Sequence, residues 1–199
     1  MQHASAKPID RLLDEIARCD ACSAQLSHGV RPVLQASATA RLLIASQAPG
    51  SKVHKSGIPF SDRSGDRLRE WTGLSSDKFY DPALVAIVPM GFCYPGRGQA
   101  GDAPPRPECA PLWRDRLLSA LSAVRLTLLV GSYAQNAVLG LGTVGDRVRR
   151  YRDFLPHYFP LPHPSWRSQV WMRQNPWFEI ELLPELRRCV TAALPTDGE

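Results

Sequence analysis

Two short stretches of this chain carry side chains suited to bond-breaking chemistry. The first, Ser46-Gln47-Ala48-Pro49-Gly50, follows the apolar run Leu42 to Ala45. Such a run, ending in small residues and a Pro-Gly break, reads as a buried parallel strand entering a tight loop. In an open α/β sheet, ligands bind just beyond the carboxyl ends of the strands. Gln47 puts an amide there, which can orient a water but cannot take its proton. The second stretch, His163-Pro164-Ser165, follows a later apolar segment. Its imidazole can donate a hydrogen bond to an anion that forms in a reaction. Taken alone, the first is an ordinary strand-to-loop turn and the second a loop histidine bonded to backbone. Their occurrence after two separate strands gives the pair its weight.

The cysteines offer a different chemistry. Cys19 and Cys22 form a C-x-x-C pair, and 15 residues separate Cys93 from Cys109. Four thiolates in two such pairs can hold an iron–sulfur cluster or a zinc ion. A C-x-x-C alone is shared by redox and zinc motifs. Cys189 falls in the apolar periodicity of the final helix and reads as a small core residue.

Elements must position these groups. Ile9, Leu12, Leu13 and Ile16 lie on one face of a helix over Pro8 to Arg18, which delivers Cys19 and Cys22 at its end. Ser23 to Ala40 reads as irregular. Arg41 to Ser46 is the first strand, and Gln47 to Arg63 a basic Gly/Ser/Pro loop. Ser64 is expected to cap a helix over Gly65 to Thr72, with Leu68 and Trp71 inward. Leu84 to Val88 is a second strand, followed by a Gly/Pro-rich loop over Met90 to Pro107. Glu108 to Ser122 is amphipathic, with Leu112, Leu117, Leu118 and Leu121 on its core side. Leu126 to Val130 is a third strand. Gly131-Ser132 then opens a helix with Ser132 as its cap. Phe154 to Leu161 supplies a fourth strand leading into His163, Trp166 to Asn175 is a loop or short helix, and Trp177 to Leu194 a closing helix. Strands alternating with helices predict a three-layer α/β/α sandwich with a central parallel sheet of about four strands. The 199 residues are read as a single domain, 1–199.

No apolar run approaches a membrane span and no signal segment begins the chain, so a cytoplasmic protein without a membrane partner is expected. A net charge of +5 suits an anionic partner such as nucleic acid, although charge alone also fits any basic soluble protein.

Together these residues resemble the uracil-DNA glycosylase superfamily. Ser46-Gln47-Ala48-Pro49-Gly50 is similar to its Gly-Glu-Ala-Pro-Gly motif, His163-Pro164-Ser165 matches its second motif, and Gly57-Ile58-Pro59-Phe60-Ser61-Asp62-Arg63-Ser64-Gly65 looks like its Gly-x-Pro-Phe segment. Cys19, Cys22, Cys93 and Cys109 match in order and spacing the ligands of the iron–sulfur branch, which implies a structural [4Fe–4S] cluster, with zinc as the alternative. The resemblance covers Ile16 to the end of the chain. It implies a monomeric, monofunctional DNA repair glycosylase of base excision repair that hydrolyses the N-glycosidic bond of uracil, or another deaminated base, after base flipping. It further implies that His163 stabilises the leaving base and Gln47 holds the attacking water. Phe60 would stack on the base, and Ser46, Ala48 and Ser165 would bind substrate. Gln47 stands where that branch has an acid, so an acid restored at position 47 is expected to raise activity on uracil. Pro89 stands where the branch has an Asn that reads the uracil edge. The Lys-Arg-Arg-Ile-His insertion of the covalent uracil-binding branch is missing from Met90 to Cys109, so no covalent DNA adduct is expected.

Lys52, Trp166 and Arg167 are candidate DNA contacts, since Arg and Lys pair phosphate and aromatics wedge or stack. Trp171 and Arg173 could join them, or the tryptophans could cover the final helix. His54 and Lys55 read as phosphate contacts or solvated charge, and Arg147, Arg149, Arg150 and Arg152 as a solvated basic face. Two other functions compete. One is a nucleic-acid- or damage-binding relative without catalysis, motivated by Gln47 and Pro89. The other is a zinc-stabilised hydrolase or redox protein, motivated by the cysteines and His163.

Overall fold

The computed structural model describes residues 8–99, 101–166 and 168–195. Pro8–Ala17 forms α1 and buries Ile9, Leu12 and Ile16, as their spacing predicts. Strand β1, Leu42–Ala45, is buried along its whole length. The segment expected as a loop over 47–63 contains a helix, α2 (Ser51–Ser56), closed by Gly57 in the left-handed conformation. Six residues are too few to display an apolar stripe, so its glycine stop was the one available signal. Helix α3, Arg63–Thr72, is capped by Asp62 rather than Ser64, with the carboxylate accepting the Gly65 N–H at 3.0 Å. The short α4 (Ser76–Phe79) precedes β2 (Val85–Ile87). The loop expected over 90–107 carries a small antiparallel hairpin, β3 (Arg97–Gly98) with β4 (Gly101–Asp102).

The helix expected over 108–122 starts as a π-helical stretch, Ala110–Arg114, and continues as α5 (Asp115–Ala120). The wider π turn shifts which side chains face inward, and Leu112 is 44% exposed instead of in the core. Strand β5, Leu126–Val130, runs into α6, Gly131–Leu139; Ser132 lies inside that first turn and does not cap it. Thr143 caps α7, Val144–Arg149. Arg147, expected on a solvated face, is buried there and donates to Asn136 Oδ1 and the Gly140 carbonyl. Strand β6 is Tyr158–Leu161, and α8 is Ser168–Gln174. A π-helical stretch, Phe178–Leu182, then opens α9, Leu183–Ala193.

The four main strands form one all-parallel sheet in the order β2-β1-β5-β6, with Leu42 level with Val85 on one side and Leu126 on the other. Side chains alternate between its faces. Leu42, Ile44, Leu126 and Leu128 meet Leu68 and Trp71 of α3 and Leu186 and Val190 of α9. Leu43 and Ala86 meet Ile9, Leu12 and Ile16 of α1 and Leu117 and Leu121 of α5, while Ala45 and Leu129 take Ala134 of α6. The result is the expected three-layer α/β/α arrangement. From β1 the chain first fills the β2 side and then crosses to β5. The order therefore reverses at β1/β5, and a crevice opens at the carboxyl ends of those strands.

Candidate active site

The crevice is a cleft of ≈ 470 Å³ whose lining includes Ser46, Gln47, Ala48, Phe60, His163, Ser165 and Trp166. Segments far apart in sequence thus converge at one sheet edge, and each is fixed by identifiable contacts. The loop after β1 is tied to the loop after β2, because Met90 N–H donates to the Ser46 carbonyl and Gly91 N–H to that of Gln47. No backbone acceptor among the described residues takes the Gln47 or Ala48 N–H. Gln47 Nε2 donates to the Ala103 carbonyl at 3.0 Å, just past β4. The amide nitrogen therefore faces the hairpin, and Oε1 remains as the acceptor end.

Phe60 has φ +54°, the left-handed region that non-glycine residues rarely occupy. Its carbonyl accepts the Tyr80 hydroxyl at 3.0 Å and its ring meets Phe79 edge-on at 6.3 Å. A Cβ at position 65 would collide with the Phe60 carbonyl, so only glycine permits α3 to start this close beneath it. The ring is therefore packed against Phe79 on one side and lines the cleft on the other.

His163 lies on Gly131, the residue that joins β5 to α6 with φ +81°; a Cβ there would sit 3.4 Å from the His163 Cβ. The His163 carbonyl accepts the Ser168 hydroxyl. Arg67 of α3 donates to the Pro164 and Ser165 carbonyls at 3.4 and 2.8 Å. Burial holds the imidazole below its ordinary pKa, opposed in part by the charge of Asp62. It is consequently neutral at neutral pH and keeps one N–H donor.

Sequence reasoning missed two carboxylates of this cleft. Asp62 lines it while capping α3, and Asp102 of β4 lines it with Arg97 opposite in the hairpin. Asp62 stands inside the quoted Gly-x-Pro-Phe segment, three residues before a helix glycine. The available cue for the hairpin was Arg97-Gly98 and Gly101-Asp102, opposite charges flanking a Gly-rich turn.

Among the candidate DNA contacts, Trp166 is 72% exposed at the cleft rim and Lys52 is exposed on α2. Arg167 lies outside the described residues. Trp171 instead meets the rings of Trp177 and Phe178, each at 5.7 Å, and packs against the core. The His54 ring is bonded to the His28 carbonyl at 3.1 Å, so it braces α2 and leaves Lys52 and Lys55 as the exposed charges.

All four expected metal-ligating cysteines, Cys19, Cys22, Cys93 and Cys109, line one hollow of ≈ 20 Å³. N–H donors surround their sulfurs: the Trp113 indole reaches Cys19 and the Phe92 backbone N–H reaches Cys109, each at 3.3 Å. Burial raises the Cys109 thiol to about 11, and Cys93 is raised by the same cause. Among the described residues no three or more of His, Cys, Asp and Glu are gathered as a group that could hold a metal ion. A soft all-thiolate donor set with N–H groups on the sulfurs nevertheless suits an iron–sulfur cluster. Cys189 is partly buried against the core, as its periodicity predicts.

No helix among the described residues is long and apolar enough to cross a membrane. A family model described as the Uracil DNA glycosylase superfamily matches residues 34–187, which takes in both loop motifs, the Phe60 segment, Cys93 and Cys109.

Proposed function

We propose, for a chain that belongs to the uracil DNA glycosylase superfamily, that this cleft hydrolyses the N-glycosidic bond of uracil or another deaminated base in DNA. Membership carries glycosylase-like chemistry on DNA and a place in DNA repair. The base and the residue roles are our reading, and so is a monomer acting in the cytoplasm. The observation that carries it is that Gln47, Phe60 and His163, from three separate segments, line one cleft at the carboxyl edge of the sheet.

A base inside a duplex cannot be reached, so it is flipped into the pocket. Phe60 stacks on it, and the Gln47 and Ala48 N–H groups hold its carbonyl oxygen, with Ser46 and Ser165 at its edges. As the C1′–N bond lengthens, its electron pair moves onto the base and the sugar becomes oxocarbenium-like. His163 donates to the oxyanion that forms. A donor that meets charge only in the transition state is typically worth about 100- to 1,000-fold in rate. Gln47 Oε1 holds the water that attacks C1′. Lys52, Trp166 and Arg167 contact the DNA strand. Cys19, Cys22, Cys93 and Cys109 hold a [4Fe–4S] cluster whose contribution is to cross-link the segments that carry them; zinc is the alternative, and iron against zinc content separates the two.

Labelled single- and double-stranded DNA containing uracil, incubated with the protein and then cleaved at abasic sites, tests this reading, with strand scission as the expected result. The second reading is a damage-binding relative without catalysis. It is favoured by the neutral Gln47, whose Nε2 is already engaged by Ala103. Tight binding of damaged DNA without excision would establish it.

A further inference from the structure

The cleft contains a carboxylate proton acceptor that the loop motifs do not supply. Gln47 cannot deprotonate a water, and His163 serves as a donor. Asp102, by contrast, reaches the cleft from β4 with its Oδ2 against the loop after β1, only 3.3 Å from where a Gly50 Cβ would stand. Gly50 is thus the small residue that admits the carboxylate beside the loop. The neighbouring Ala103 carbonyl accepts Gln47 Nε2, so one hairpin both anchors Gln47 and carries Asp102. Ala103 N–H in turn donates to the Gly96 carbonyl at 2.9 Å, which closes the hairpin base. Among the described residues no hydrogen bond or ion pair ends on the Asp102 carboxylate, and the residue remains open to water.

We infer that Asp102 is the general base of this site, taking the proton of the water that Gln47 orients. The inference rests on the glycosylase reading and assigns one further role within it. The bonds balance as follows. The C1′–N bond breaks with its electron pair passing to the base. The water oxygen bonds to C1′, one water proton passes to the Asp102 carboxylate, and the base leaves as an anion hydrogen-bonded by His163 until solvent protonates it. The groups facing Asp102 are Arg97 of β3, Asp62 before α3 and Tyr94 in the preceding loop. Partial burial raises its pKa, the Arg97 charge lowers it, and the Asp62 charge raises it, with a net shift upward. A raised carboxylate pKa makes a stronger base and places its titration above the ordinary range near 3.8.

The test is single-turnover excision from labelled DNA by wild type, Asp102→Asn, Asp102→Glu and Asp62→Asn, each with a pH profile and a DNA-binding measurement. Positioned general bases typically contribute about 100- to 10,000-fold. Asp102→Asn is expected to lose about 100-fold or more in rate, to keep its DNA affinity and thermal unfolding midpoint, and to lose the acid limb that the wild type shows. Asp102→Glu is expected to retain that limb with an intermediate rate. Equal rates for wild type and Asp102→Asn overturn the inference alone, as does loss of the acid limb only in Asp62→Asn. A wild type that excises none of uracil, hypoxanthine or xanthine removes the glycosylase reading and this inference together.

Discussion

At the scale of single residues, the proposed function divides the work of the cleft between His163 as donor and Gln47 as holder of the water. Removing the His163 imidazole deletes a donor whose bond strengthens only as charge develops, so His163→Ala should lower the excision rate by about 100-fold or more. DNA affinity should change little, because binding rests mainly on phosphate contacts; a filter-binding and single-turnover pair measures both. The pKa of His163 is lowered from 6.5, so the folded protein binds its proton less readily than the unfolded chain. The stability this contributes is present above pH 6.5 and is lost as the pH falls through the folded value. Thermal unfolding across that window should therefore show a shallower pH dependence in His163→Ala than in wild type. For Gln47, the bond to Ala103 reverses what the motif alone suggests. Gln47→Glu would set a carboxylate oxygen against the Ala103 carbonyl and release the hairpin. Excision by Gln47→Glu should fall rather than rise, and a gain in rate on uracil would show that the hairpin bond is dispensable.

At the scale of elements, the site depends on contacts between segments that share no local pattern. Arg67 projects from α3 and holds the Pro164 and Ser165 carbonyls, so it fixes the backbone that follows His163. Arg67→Ala should lower the excision rate about 10-fold with DNA affinity intact. Arg67→Lys should restore only part of it, since both bonds come from the terminal nitrogen Nη1 and the shorter lysine side chain does not reach as far. Equal loss in rate and affinity would instead mark Arg67 as a phosphate contact. The four parallel strands and the helices with long apolar stripes were legible in the sequence, because β1, β2 and β5 are continuous buried runs bounded by turn residues and β6 is buried over Phe159 to Leu161. The loop motifs around Gln47, Phe60 and His163 were legible for the same reason: each directly follows a strand or precedes a helix. Helices of four or six residues, such as α4 and α2, show too little periodicity to be read. The π-helical stretches break the 3.6-residue spacing that the reading assumes, which misplaced Leu112. Arg147 looked solvated because its partners, Asn136 and the Gly140 carbonyl, are supplied by a neighbouring helix and its end. Asp102 was missed because a two-residue strand has no periodicity, which left only the opposite charges around the Gly-rich turn as a cue.

At the scale of the whole molecule, the cysteine hollow and the cleft are two ends of one loop system. Cys93 and Cys109 bracket the stretch that contains the β3–β4 hairpin, and Cys19 and Cys22 follow α1. The connection runs through named bonds. Val33 N–H donates to the Phe92 carbonyl at 2.7 Å, Arg31 holds the His54 and Lys55 carbonyls of α2 at 2.8 Å, and Gln47 holds Ala103. A cluster bound by the four thiolates would fix both ends of that stretch, and thiolate ligation couples metal binding to folding. Burial raises the Cys93 and Cys109 thiols, and the Arg116–Glu15 ion pair at 2.6 Å links α1 to α5 independently of any metal. Cys93→Ser should accordingly lower iron content and visible absorbance, and reduce the thermal midpoint. It should also slow excision more than it weakens DNA binding, because the hairpin that carries Asp102 and anchors Gln47 is released while the exposed basic residues remain. Iron analysis, calorimetry and the excision assay on the same preparation measure the three effects. Stoichiometric zinc without iron, in protein made under iron-replete conditions, would assign the hollow to zinc. An unchanged thermal midpoint in Cys93→Ser would remove the link between this hollow and the cleft.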